Sequence, residues 1–81
     1  MKLVYDPRYN IAYLRFHEKT AEVEAIRISD ELVVDLAPDG TVYGIELLNA
    51  REQLSGADRG TLLVVNDETG EETELPLSFS P

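Results

Sequence analysis

Apolar and polar residues alternate with a period close to two along most of the chain, the spacing of strands that point successive side chains to opposite faces. In "IAYLRF", Ala12, Leu14 and Phe16 fall on one side, and Ile11, Tyr13 and Arg15 on the other. "KLVYD" before it reads as a first strand. "DPRYN" between them is a turn, because Pro7 fixes φ and Asp6 and Asn10 are suited to bonding nearby backbone. After the polar "HEKTAE", two strands, "VEAIRIS" and "ELVVDLA", meet tightly at "SDE", and "TVYGIELL" is a fifth. "TLLVVND" and "TELPLSF" make a last pair around Gly70. There Leu75, Leu77 and Phe79 alternate with Pro76, Ser78 and Ser80. Pro76 has no N–H for a ladder, so this strand is expected at an edge.

The period changes only at "NAREQLSG". Asn49 is the expected N-cap, Glu52 completes a capping box, and Gly56 suits a left-handed C-terminus. The pattern therefore predicts an α+β fold, mainly β: an antiparallel meander of five or more strands, one short helix near residues 50–55, and a C-terminal hairpin. It predicts a single domain over 1–81, with a core of 1–55 and an extension of 56–81. Leu32, Val34 and Leu36 share one side of the fourth strand, with Val33 on the other. Tyr43, Ile45 and Leu47 alternate in the fifth with Val42 and Leu48. One short helix cannot cover two apolar faces. The sheet must curl, pack against the hairpin or bury a face in a second copy, and a homodimer is the expectation.

Length and charge narrow the function. A chain of 81 residues buries only about two-thirds of its unfolded surface, which favours association. It contains no cysteine, which removes disulfides, thiolate metal sites and a cysteine nucleophile together and points to a cytoplasmic location. The N-terminus lacks the apolar run of a signal peptide, and no stretch suits a membrane helix, so a soluble protein is expected. Asp and Glu number 16 against 7 Lys and Arg, for a net charge of −9. Such a surface repels phosphate backbones, which argues against direct nucleic-acid binding. It suits solubility or the steering of a basic partner protein.

Several residues carry candidate chemistry. Asp35 and Asp39 form a pair of the kind used in acid–base work or metal binding. Asp39 also fits a hairpin turn with Pro38 before it and Gly40 after, and Asp35 alternates onto the less buried face. Glu46 lies on a partly apolar face and calls for a partner, with Arg15 or Arg27 the expected choice. Gly44 in the same strand signals a bulge or the close approach of a large side chain such as a tyrosine. His17, the single histidine, reads as solvated at a strand end, and no zinc constellation is present. Asp67, Glu68, Glu71, Glu72 and Glu74 crowd the last turn without a basic residue. They suit protection of a hairpin edge, loose cation binding or contact with a basic protein. The tyrosines, Tyr13 and Tyr43 among them, suit an interface or a core.

The order of these motifs resembles a known family. Tyr5-Asp6-Pro7, Ala12-Tyr13-Leu14, the acidic Val33 to Leu36 strand and Gly44-Ile45-Glu46 before a short helix are similar to the domain of unknown function 2283 family of small prokaryotic proteins. The resemblance covers about the first two-thirds of the chain and stops at the hairpin after Gly56. It implies no activity, catalytic residue or cofactor. It does imply an antitoxin-like role, since some members neighbour small toxin-like proteins. The expected function is a non-enzymatic, homodimeric protein-interaction module contacting its partner through Asp67, Glu68, Glu71, Glu72, Glu74, Tyr13 and Tyr43. A small-ligand or metal module at a dimer seam is the second expectation. An enzyme using Glu46, Asp35 and His17 is the third.

Overall fold

The computed structural model describes residues 1–18, 22–55 and 60–77. Seven strands and one helix follow in order: β1 (Lys2–Asp6), β2 (Ile11–Arg15), β3 (Glu24–Ser29), β4 (Leu32–Leu36), β5 (Val42–Leu48), α1 (Ala50–Leu54), β6 (Thr61–Val65) and β7 (Glu72–Pro76). The first five strands form one antiparallel sheet in the order β1-β2-β5-β4-β3, and β6 and β7 form a separate hairpin. The fold is thus mainly β with one short helix. The expected meander holds only for β3-β4-β5. The β1-β2 hairpin joins the far side of β5, so the last strand of the meander lies at the centre of the sheet. Ser78, Phe79 and Gly56 lie outside the described residues.

The turns follow their local chemistry. Asp6 accepts the Arg8 N–H at 2.9 Å and closes the first turn, while its carboxylate also pairs with the Arg8 guanidinium at 3.1 Å. β3 and β4 are joined through Asp30 and Glu31, with the Glu31 N–H bonded to Ser29 Oγ at 3.1 Å. At "PDG", the Gly40 N–H reaches the Ala37 carbonyl at 2.9 Å, Asp39 Oδ1 accepts the Thr41 N–H at 2.9 Å, and Gly40 has φ +88°. Asp39 is therefore a turn residue, and those bonds hold its carboxyl below the usual aspartate range.

Register separates the two faces of the sheet. Tyr5 pairs with Ala12, Leu14 with Ile45, Ala12 with Leu47, Val34 with Ile45 and Ile26 with Val34, so these residues share an apolar face. The opposite face carries Tyr13, Arg15, Glu46, Asp35 and Arg27 between Val4 and Val33. Helix α1 packs against β2 at one end of the sheet. Buried apolar residues are small: Ala12, Ala37 and Ala50, and no large side chain among the described residues is fully enclosed.

The hairpin stands apart. Its substantial packing is between β6 and β7 alone, and none joins it to the five-stranded sheet. The Cα radius of gyration is 14.2 Å, against about 12 Å for a compact chain of this length. The accessible surface is 6091 Å², roughly 1,200 Å² above that of a compact chain of this mass. No helix among the described residues is long and apolar enough to cross a membrane.

Candidate functional site

One turn residue links the first hairpin to the start of the helix. Asn10, with φ +55°, ends the β1–β2 turn and reaches the start of α1. Its carbonyl oxygen accepts the Ala50 N–H at 2.9 Å, and its side-chain Oδ1 accepts the Arg51 N–H at 2.8 Å. Its Nδ2 donates to Glu52 Oε2 at 2.6 Å, a bond that holds the Glu52 carboxyl below its ordinary range. The Tyr5 hydroxyl donates to Asn10 Oδ1 at 3.3 Å and accepts from Arg51 Nη2 at 3.1 Å. Asn49, the expected N-cap, is instead left-handed with φ 51°, and its side chain makes no cap bond. Asn49 thus holds the N-cap position, while a side chain some forty residues upstream supplies the bond to the first turn. Local spacing located the helix start at Asn49 but could not show that Asn10 would bond its first turn.

A polar recess of about 330 Å³ opens on the mixed face, lined by Tyr13, Arg15, Ala25, Asp35, Gly44 and Glu46. Asp35 lies opposite Ala25 on β3 and Gly44 on β5, two residues with almost no side chain. Despite these small neighbours it is only 9% exposed. The expectation of a less buried face for Asp35 is corrected: alternation chooses the face, but its place on β4, with β3 and β5 on either side, sets its burial. Glu46 lies between Tyr13 of β2 and Val33 of β4. Tyr13 is its cross-strand neighbour, and no ion pair to Arg15 or Arg27 forms among the described residues. Arg27 turns to Asp30 at 3.6 Å, and the Arg15 guanidinium lies 5.9 Å from the centre of the Tyr13 ring.

Burial first, and then the Glu46 carboxylate, push the Tyr13 phenol above its ordinary range. It is a hydrogen-bond donor at neutral pH. Gly44 is required by backbone rather than by a tyrosine: a Cβ there would stand 2.7 Å from the Leu14 carbonyl oxygen and 3.4 Å from the Arg15 Cα. The neighbouring register shift between Asp35 and Leu36 supplies the expected bulge. His17 belongs elsewhere, in a recess with Glu18, Thr41 and Tyr43, its ring 5.3 Å from that of Tyr43. The three acid–base candidates are thus divided, with Asp35 and Glu46 in one recess and His17 in another. Among the described residues, no group of three or more His, Asp or Glu side chains is placed to hold a metal ion.

The acidic residues of the hairpin are all exposed. Asn66 Oδ1 accepts the N–H groups of Glu68 and Thr69 at 3.0 and 3.2 Å, and the Gly70 N–H bonds the Asn66 carbonyl at 2.7 Å. Backbone and Asn66 thus make the turn, and the carboxylates of Asp67, Glu68 and Glu71 are left to solvent. Along the strands, Glu72 pairs with Val65 and Glu74 with Leu63, so these share one face. Leu62 pairs with Leu75 and Val64 with Thr73 on the other, which carries no charge. Leu62, Val64 and Leu75 are 47%, 49% and 46% exposed. Tyr13 and Tyr43, expected as exposed contacts, are half-buried; the exposed tyrosine is Tyr9. These apolar hairpin residues were missed as surface candidates. The signal was present in "TLLVV", which is apolar on both faces of a terminal hairpin that one small sheet cannot cover.

The profile of the family described as a protein of unknown function, DUF2283, matches residues 2–51, more than half of the chain, and the chain belongs to that family. The match ends within α1, at Arg51, whose N–H is bound by Asn10. No curated protein and no solved structure shows a significant match to the chain.

Proposed function

We propose that this chain is a non-enzymatic protein-interaction module that presents its C-terminal hairpin to a basic protein in the cytoplasm. The supporting observation is the hairpin itself, an element without internal packing partners that carries Asp67, Glu68, Glu71, Glu72 and Glu74 exposed on its turn and strand β7. A net charge of −9 adds long-range steering of a basic partner. The antitoxin-like role implied by the family resemblance is one form of this reading. Capture of partners from the native host tests it, with Glu71, Glu72 and Glu74 all changed to Lys as the control. The expected result is a basic protein in fixed stoichiometry, released by salt and lost with the reversed charges. Capture that survives the reversal, or no capture, defeats the reading.

A second reading is favoured by the recess under Tyr13. A buried aspartate, a protonated phenol, Glu46 and Arg15 converge there, the donor and acceptor mixture that orients a small polar ligand. A compound that raises the melting temperature of the chain, and fails to do so for Tyr13→Phe, supports this reading. A metal version has less support, given the side-chain placement above. An acid–base enzyme has less again, because His17 is remote from Asp35 and Glu46.

A further inference from the structure

The apolar face of the sheet and the apolar face of the hairpin are two unfinished halves of one core. The sheet face built on Leu14, Val34 and Ile45 leaves all three partly exposed, and among the described residues the five-residue helix packs substantially on β2 alone. The hairpin face of Leu62, Val64 and Leu75 is about half exposed, and among the described residues no strand of the sheet packs substantially on the hairpin. An isolated two-stranded hairpin is marginal in water. We infer that two copies of this chain associate reciprocally, each laying the uncharged face of its β6–β7 hairpin on the open apolar face of the other's five-stranded sheet.

Area and symmetry support a second copy as the occupant. The surface in excess of a compact monomer is roughly 1,200 Å² per chain, and a stable interface covers about 800 Å² per partner. A foreign protein seated on the sheet leaves the hairpin uncovered, whereas a two-fold pair covers both surfaces at once and closes without leaving a sticky end. The charge pattern agrees: Glu72 and Glu74 lie on the hairpin face opposite Leu62, Val64 and Leu75 and stay in solvent. Association carries two chains of −9 together, so salt strengthens this contact while weakening any contact with a basic protein. The inference goes beyond the acidic-edge reading and stands or falls separately from it.

The absence of native cysteine makes the test clean. Full-length Val64→Cys and Val34→Cys proteins are mixed, oxidised and resolved by mass, with Val33→Cys, on the opposite face of β4, replacing Val34→Cys in the control. The expected product is a mixed disulfide between the Val64→Cys and Val34→Cys chains, and little with Val33→Cys. Sedimentation of the uncrosslinked chain should show a dimer that tightens with salt. The double variant Leu62→Glu, Leu75→Glu should weaken it by about 100-fold or more while retaining the sheet's circular dichroism. A chain monomeric at all concentrations overturns the inference. So does a dimer linked only between like positions, equal linkage to Val33→Cys, or dimerisation unaffected by the glutamates. A salt-released basic partner remains detectable in each of those cases, so the two readings fail independently.

Discussion

The five-stranded sheet with its helix and the C-terminal hairpin are both antiparallel β structure, but they are held by different means. In the first, side chains distant in sequence bind one another. Asn10 anchors Ala50, Arg51 and Glu52, and the Gln53 side-chain amide donates to the Glu31 carbonyl at 3.0 Å and also to the Leu48 carbonyl. In the second, the ladder and the Asn66 turn supply the order, and every side chain from Leu62 to Pro76 is exposed. Hydrogen-bonded strands therefore do not by themselves make a core. The sheet is tied together by long-range contacts, while the hairpin has the geometry of an element completed from outside.

The sharpest test of the contrast is Gly44→Ala. The added methyl meets backbone in the centre of the sheet, at 2.7 Å from the Leu14 oxygen, and the expected loss is about 2–3 kcal/mol, read from the urea midpoint. A loss near zero would show that β2 and β5 separate freely. Next comes a matched pair, Asn10→Gly and Asn49→Gly. Both residues have positive φ, so glycine relaxes the backbone equally, and the difference isolates the side chains. Asn10→Gly is expected to cost about 1–2 kcal/mol more than Asn49→Gly through its lost side-chain hydrogen bonds. Equal effects would show that the Asn10 side chain does not hold the helix.

Gly40→Ala and Gly70→Ala apply one backbone change to both regions, at φ +88° and +78° with open space around each. Each costs about 1–2 kcal/mol locally. At Gly40 the cost should appear in the cooperative unfolding of the sheet. At Gly70 it should appear as faster proteolysis of the hairpin, with the dilute sheet transition unmoved. A shift of that transition by Gly70→Ala would mean that the two regions unfold as one.

The smallest effects are electrostatic. The carboxyls of Asp6, beside Arg8, of Asp39, bonded to the Thr41 N–H, and of Glu52, bonded to Asn10, are all held below their ordinary values. A depressed folded pKa contributes stability above the unfolded value and loses it as pH falls through the folded one. The sheet should therefore weaken progressively below about pH 4, with a shallower decline in Glu52→Gln. Tyr13 behaves oppositely: its raised phenol favours the folded state up to the ordinary tyrosine range, and the advantage fades at higher pH. In an ultraviolet titration it should ionise above the ordinary tyrosine range, and Glu46→Gln should bring it back toward that range.

Much of this molecule was readable from short-range pattern. Alternation located all seven strands and assigned Ala12 and Leu14 opposite Tyr13 and Arg15, because the pleat reverses side-chain direction at every residue. "PDG" specified its turn, since Pro38 fixes φ and Gly40 accepts the left-handed conformation. The family motifs fell in the region that the family match covers. Tertiary structure decided what depends on neighbours distant in sequence. It placed β5 between β2 and β4, buried Asp35, set Glu46 opposite Tyr13, and brought the Asn10 side chain to the first turn of the helix that Asn49 begins. Period and propensity are properties of adjacent residues, whereas burial, partner choice and trans-capping depend on which strands become neighbours.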